Sequence, residues 1–351
     1  MRDGDVSIER GVHDDRSLAR RTAVVGTVVV VLALLTALVL VAAEVFLLIF
    51  AGLLFAVLLS AAADWLAENG RVGRGAALTL ILMLLTASAV GATTWLWPAL
   101  SDQVDELATQ LPRAVEELRG WIEQRAWGQW LLGNSDAQQM VQDTEVIGRA
   151  TDALMSVISG ITALIVILFI GVYVAAQPDV YHRGLRRLIP APRRERFDGV
   201  LTEVTSVLRW WLVGKLLEMA LVGVLTTLAL WWLEVPLALI FGLLAAALTF
   251  IPNFGPVIAV IPPALLTLVD QPERTLTVIG VYLAIQLVES YAITPLVQHR
   301  TVRMPPALTI AAQILFGLLV GPIGLAVATP LVAAGMTVVR MLYVEDLLER
   351  T

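Results

Sequence analysis

Three observations predict an all-α polytopic membrane protein. Of the 351 residues, 58% are hydrophobic and only 15% charged; soluble domains average about half apolar and about a quarter charged. Apolar runs long enough to cross a hydrocarbon core of about 30 Å recur along the chain. Arginines gather in a few of the loops between them. The arrangement expected is six full spans plus two re-entrant helical hairpins, seven to eight apolar segments in all, with an extracytoplasmic amphipathic helical arm.

The first apolar run, Thr22 to Ala43, follows a charged tail over residues 1–21 and exceeds the core of a signal peptide, so it is read as a retained helix and the mature chain is expected to begin where the sequence does. Val45 to Ala63 and Gly75 to Trp97 complete an opening group of three spans over residues 22–97. Arg16, Arg20 and Arg21 precede the first span, Arg71 and Arg74 follow the second, and Arg183, Arg186, Arg187, Arg193, Arg194 and Arg196 follow the fourth, Ala153 to Ala176. Basic loops stay on the cytoplasmic side, so all three segments belong there.

The stretch 98–152 then falls outside the membrane, with ten acidic and four basic residues. Leu100, Val104, Leu107, Leu111, Val115, Leu118 and Ile122 recur along it at helical spacing, which predicts the amphipathic arm. Such an arm packs on itself, on a neighbouring subunit or, less simply, on a substrate. The fifth span, Trp211 to Trp232, is bracketed by Trp210 and Trp211 at one end and Trp231 and Trp232 at the other, about 30 Å apart at the helical rise, as interfacial tryptophans should be.

Residues 153–340 hold the expected transport core. Pro236 to Val269 would be about 50 Å long as one helix and is broken by Ile251-Pro252-Asn253-Phe254-Gly255-Pro256. Pro306 to Val339 has the same excess length and is interrupted by Gly321-Pro322, with Pro330 beyond. If both runs are hairpins, the first leaves the membrane outside near Asp270 and Glu273. The span Thr275 to Leu296 then returns inward, and His299, Arg300 and Arg303 form a basic inner loop. Both termini, including the tail 341–351, are then cytoplasmic. Gly255-Pro256-Val257 and Gly321-Pro322-Ile323 sit at corresponding breaks, the pattern of inverted repeats.

Non-helical backbone at membrane depth needs a protein-lined or water-filled cavity, so Pro252, Asn253, Gly255, Pro256, Gly321 and Pro322 are candidate site residues; a kink serving packing alone is the competing explanation. Glu289 lies in an apolar span, with Gln286 and Tyr282 on the same helical face. A carboxylate there costs a few kcal/mol against lipid, so it turns inward, either titrating with transport or accepting hydrogen bonds from the hairpin tips. Lys215 and Glu218, three apart, can neutralise one another or snorkel to the interface. Gln313, Thr294 and Gln298 are lesser candidates.

No cysteine is present, which excludes disulfides, thiolate nucleophiles and thiolate metal sites. The histidines His13, His182 and His299 are too dispersed for a metal site, and the net charge of −6 carries no nucleic-acid footprint. Gly214-Lys215-Leu216 lacks a phosphate-cradling loop, and no nucleophile elbow or His-Glu-x-x-His pattern occurs, so no enzyme activity, cofactor or catalytic residue is expected.

The stretches IPNFGPVIAVIPP over 251–263, LLIFAGLLFAVLL over 47–59, the span holding Gln286, Glu289, Thr294 and Pro295, and the closing GPIGLAVATPL resemble the autoinducer-2 exporter family of bacterial permeases, in family order along nearly the whole chain. That resemblance implies a homo-oligomeric transporter of the bacterial inner membrane. It would act on a small polar solute such as autoinducer-2, or exchange sodium or lithium for protons. It points to Pro252, Gly255, Pro256, Glu289, Pro295, Gly321, Pro322 and Pro330, and departs at Lys215, where a glutamine is commoner. Export by alternating access is the leading expectation. Cation/proton antiport follows, since Glu289 and Glu218 are available but no intramembrane aspartate pair is. An oligomeric scaffold or channel is the third.

Overall fold

A computed structural model describes residues 42–124, 162–293 and 304–348. All regular structure among them is helical. The first predicted span lies outside these residues except for its last two, as do the distal arm and the inner loop holding Thr294, Gln298, His299, Arg300 and Arg303.

Helix α1 (Ala42–Gly70) outruns the predicted second span at both ends. A short turn, held by Arg74 Nε donating to Asp64 at 2.8 Å, leads to α2 (Arg74–Gly91). Through a π-helical stretch (Ala92–Leu96) α2 continues into α3 (Trp97–Glu123), so arm and span form one helical path. Then follow α4 (Thr162–Ala176) and α5 (Pro178–Arg187), bent 85° from each other, and α6 (Arg194–Trp232). The last is far longer than the predicted Trp211–Trp232 span. Its 39 residues extend about 58 Å, and the surplus lies before Trp210.

The two long apolar runs are each divided once, while the chain stays helical through Pro262 and Pro263 and through Pro330. Helix α7 (Ala238–Thr249) is followed by five non-helical residues and α8 (Gly255–Asp270). Helix α9 (Pro272–Val288) continues as a π-helical turn (Glu289–Ile293). Helix α10 (Pro306–Val320) meets α11 (Pro322–Val339) at Gly321. Pro lies in the first turn of α5, α8, α9, α10 and α11, where its missing N–H is not needed and its fixed φ suits the helix. At 12 residues α7 spans about 18 Å, too short to cross a bilayer core.

Four described helices are long and apolar enough to cross a membrane, or five if the bent α4–α5 pair counts as one. Helix α11 is among them. Beyond α11 the chain runs on in π geometry from Arg340 to Leu348. Charge explains the extension: Arg196 of α6 donates to Glu345, Asp346 and the Met341 carbonyl, and Arg340 pairs with Glu203 at 3.2 Å.

Packing falls into three clusters. Helices α1, α2 and α4 share Leu59, Ala63, Ala77 and Ala175. Helices α1, α6 and α11 share Leu47, Leu54, Trp211 and Val327. Helices α6 to α9 share Leu230, Phe241, Ala259, Leu266 and Val278, onto which Leu107 of the arm packs. Glycine permits the tightest crossing: a Cβ on Gly242 of α7 would lie 1.8 Å from Thr227 Oγ1 and 2.8 Å from the Gly223 carbonyl of α6. Outward faces carry exposed Leu80, Met83, Leu84, Leu217 and Leu228, as expected where lipid is the solvent.

Candidate functional site

Two polar groups interrupt the apolar interior, and α6 joins them. Trp211, Lys215 and Glu218 succeed one another along one face of α6 at helical spacing. Trp211 packs edge-on against Phe250, the first residue of the break between α7 and α8, with centroids 5.8 Å apart.

The first group surrounds that break. Asn253 adopts φ 69°, a left-handed conformation that asparagine tolerates and that turns the chain between α7 and α8. Gly255 follows because a Cβ there would lie 1.9 Å from the Leu248 carbonyl oxygen. The tip is held by Gln313 of α10, fully buried. Its Nε2 donates to the Pro252 carbonyl at 2.9 Å and approaches Thr329 Oγ1 of α11 at 3.4 Å, while its Oε1 accepts from Asn253 Nδ2 at 3.2 Å. One amide therefore ties the first break to both legs of the second segmented pair. Gln313 and Thr329 lie equal distances either side of Gly321, so α10 and α11 fold back on each other. Gly321 makes that turn at φ 74° and ψ −148°, open essentially to glycine alone.

The likeness of the two breaks is therefore one of device, not of register. Asn253 and Gly321 supply the positive φ. Gly255 and Gly324 supply close backbone approach, a Cβ on Gly324 falling 2.0 Å from the Phe316 carbonyl oxygen. Matching Gly255 with Gly321, as the sequence suggests, joins residues with different tasks.

The second group is charged. Lys215 Nζ donates to Glu218 Oε2 at 2.7 Å, with the lysine 6% exposed. Glu289, also 6% exposed, starts the π-helical turn after α9, and its carboxyl lies within hydrogen-bonding range of Glu218 and Gln286. Gln286 also donates to Ser290 at 3.4 Å. The structure thus brings together four candidates, Lys215, Glu218, Gln286 and Glu289, from two helices. It gathers Pro252, Asn253 and Gly255 round the other group, where Pro256 opens α8. Gly321 and Pro322 stand at the α10–α11 turn, and Val320 beside them shares the cluster containing Trp211 and Phe250. Gln313, which the sequence ranks low, is the residue that holds the first break to α10 and α11.

With both carboxyls ionised, one ammonium faces two carboxylates and leaves the charged group net negative. In a dry site such an excess is costly unless a proton or a cationic or hydrogen-bonding group shares it. The arrangement therefore suits a group that changes its bonding during a cycle. No set of three or more His, Cys, Asp or Glu residues suited to a metal occurs among the described residues.

The fold and its buried polar pair are those of a multi-pass membrane transporter. The family model for AI-2E family transporters matches residues 28–343, so the chain belongs to that family. YrrI of Bacillus subtilis is 25% identical over 275 residues, covering 74% of this chain and 77% of its own. YhhT of Escherichia coli K12 is 25% identical over 294 residues, covering 83% and 82%. Both bear provisional transport-protein names. The AI-2 transport protein TqsA of Escherichia coli K12 is 29% identical over 189 residues, covering 54% of this chain and 52% of its own.

Proposed function

We propose that this chain exports a small polar organic solute, of which autoinducer-2 is the model, across the bacterial inner membrane by alternating access. The observation carrying this reading is the Lys215–Glu218–Glu289 group, one helical turn along α6 from Trp211, which packs on the break between α7 and α8 that Gln313 ties to α10 and α11. Broken helices expose backbone donors and acceptors that suit a polar solute, and the negative group supplies either a proton or a hydrogen-bond acceptor during the cycle. TqsA, named for AI-2 transport, supports the solute class. In this reading the pairs α7–α8 and α10–α11 are re-entrant hairpins entered from opposite sides, and both termini are cytoplasmic. The arm over α3 serves contacts between subunits of a homo-oligomer.

The test is transport in proteoliposomes holding purified protein, with wild type and Glu289→Gln compared for labelled autoinducer-2 uptake and for sodium-driven proton movement. Solute flux without a sodium response, lost in the variant, is the expected result. A sodium-dependent proton signal without solute flux overturns the reading in favour of antiport. Topology is checked in this cysteine-free chain by single substitutions. Gln271→Cys should react with impermeant maleimide added outside and Arg187→Cys only with reagent inside.

A further inference from the structure

Helix α5 has no task in the transport site, yet its surface is strongly divided. It leaves α4, an apolar helix, after a single residue and turns by 85°, so it runs across the direction of the helix that precedes it. On a helical wheel Val180, Tyr181, Gly184, Leu185 and Leu188, the last capping the helix, fall within an arc of about 140°. The four large side chains are 51%, 44%, 49% and 80% exposed, respectively. The opposite face is fixed to α6: His182 Nε2 and Arg186 Nε lie 2.9 and 3.0 Å from the Asp198 carboxylate, and the His182 ring stacks on Phe197. Arg187 borders the apolar arc and Arg183 stands one step further round. With Arg193 in the following turn they are exposed and have no carboxylate partner among the described residues.

We infer that α5 is an interfacial helix: its apolar face enters the leaflet at the Gln177 end of α4, and Arg183, Arg187 and Arg193 bind the headgroups of anionic phospholipids there. Continuity with α4 puts the helix at a membrane surface, and its right-angle turn lays it along that surface. An apolar arc edged with arginines is what such a surface receives. A soluble acidic partner would satisfy the arginines but leave Leu185 and Leu188 in water. A second copy of this chain would bring from α5 itself a single carboxylate, Asp179, to meet three exposed arginines. The ordinary basic inner loop of a membrane protein needs neither the exposed apolar arc nor the bend.

The test uses full-length protein in nanodiscs of phosphatidylcholine with or without phosphatidylglycerol. Nitroxide is placed on Leu185→Cys, on Leu188→Cys and, as control, on Arg183→Cys. At the two leucine positions, collisions with oxygen should exceed those with an aqueous nickel chelate, the reverse of the control. Equal access of the chelate at all three positions, or shielding of the leucine positions from both reagents as in a protein contact, overturns the inference. The same protein with Arg183→Gln, Arg187→Gln and Arg193→Gln should lose its preference for phosphatidylglycerol, read by energy transfer from labelled lipid, by about fivefold per arginine. An unchanged preference overturns the headgroup assignment. The depth measurement keeps all arginines except in its control, so it stands even if the triple variant folds poorly.

Discussion

Lys215 carries the positive charge of the buried polar group. Removing it takes from Glu218, beside Glu289, the ammonium it pairs with in a largely buried site, so Lys215→Ala should destabilise the protein by about 3 kcal/mol. The double variant Lys215→Ala/Glu218→Ala should recover much of that loss, a sign of coupling that unfolding in detergent micelles would read. Gln313→Leu removes the partner of the exposed Asn253 amide and one of the two donors to the Pro252 carbonyl, which keeps the Phe254 N–H. It should cost about 1 kcal/mol and slow transport, since the first break loses its tie to α10. Glu289 is legible in the sequence because a carboxylate in an apolar run has nowhere favourable to point except inward. Gln313 is not, because an amide in such a run looks the same whether it meets lipid or a neighbouring helix. Its partners Pro252 and Thr329 lie 61 and 16 residues away in the chain.

Among the elements, helix starts leave the clearest mark, since a proline stands in the first turn of α5, α8, α9, α10 and α11, although Pro112, Pro262, Pro263 and Pro330 lie inside helices. Ends are less readable. The fifth span shows its interfacial tryptophans at Trp210 and Trp232, but the sixteen residues by which α6 precedes Trp210 announce themselves only as an amphipathic pattern, Phe197, Val200, Leu201, Val204, Val207 and Leu208 at helical spacing, too polar between to be read as span. Asp198 and Glu203 on the same stretch pair with His182 and Arg340 of other elements. Two substitutions test the elements as built. Gly321→Ala puts a Cβ where φ is 74°, with open space around it, so its cost is backbone strain alone, about 1 to 3 kcal/mol. Gly242→Ala has ordinary helical backbone but would collide with Thr227. Combining it with Thr227→Ala should restore part of the lost thermal stability, whereas that partner change should do nothing for Gly321→Ala.

Over the whole molecule, the three packing clusters are chained through α1 and α6, each of which serves in two of them. Arginines close the structure at its edges. Arg274 of α9 donates to the Leu233 carbonyl and pairs with Glu234, fastening the turn between α6 and α7. Arg196 fastens the end of α11 to the start of α6. Arg196→Ala should release the segment Arg340–Leu348, raising its amide hydrogen exchange while leaving that of α9 unchanged. The pairing of distant segments was the least legible level of all. Charge pattern sorts loops to the two sides of a membrane, but the partner of an arginine such as Arg196 depends on a helix that arrives about 150 residues later.

Helix α6 carries no proline from Arg194 to Trp232, and that has a mechanical consequence. A stiff rod gripped at mid-length, where Trp211 and Lys215 are enclosed by neighbouring helices, behaves as a lever with its fulcrum at that grip. A sideways push on the arm that bears Asp198 is returned inverted at Leu230.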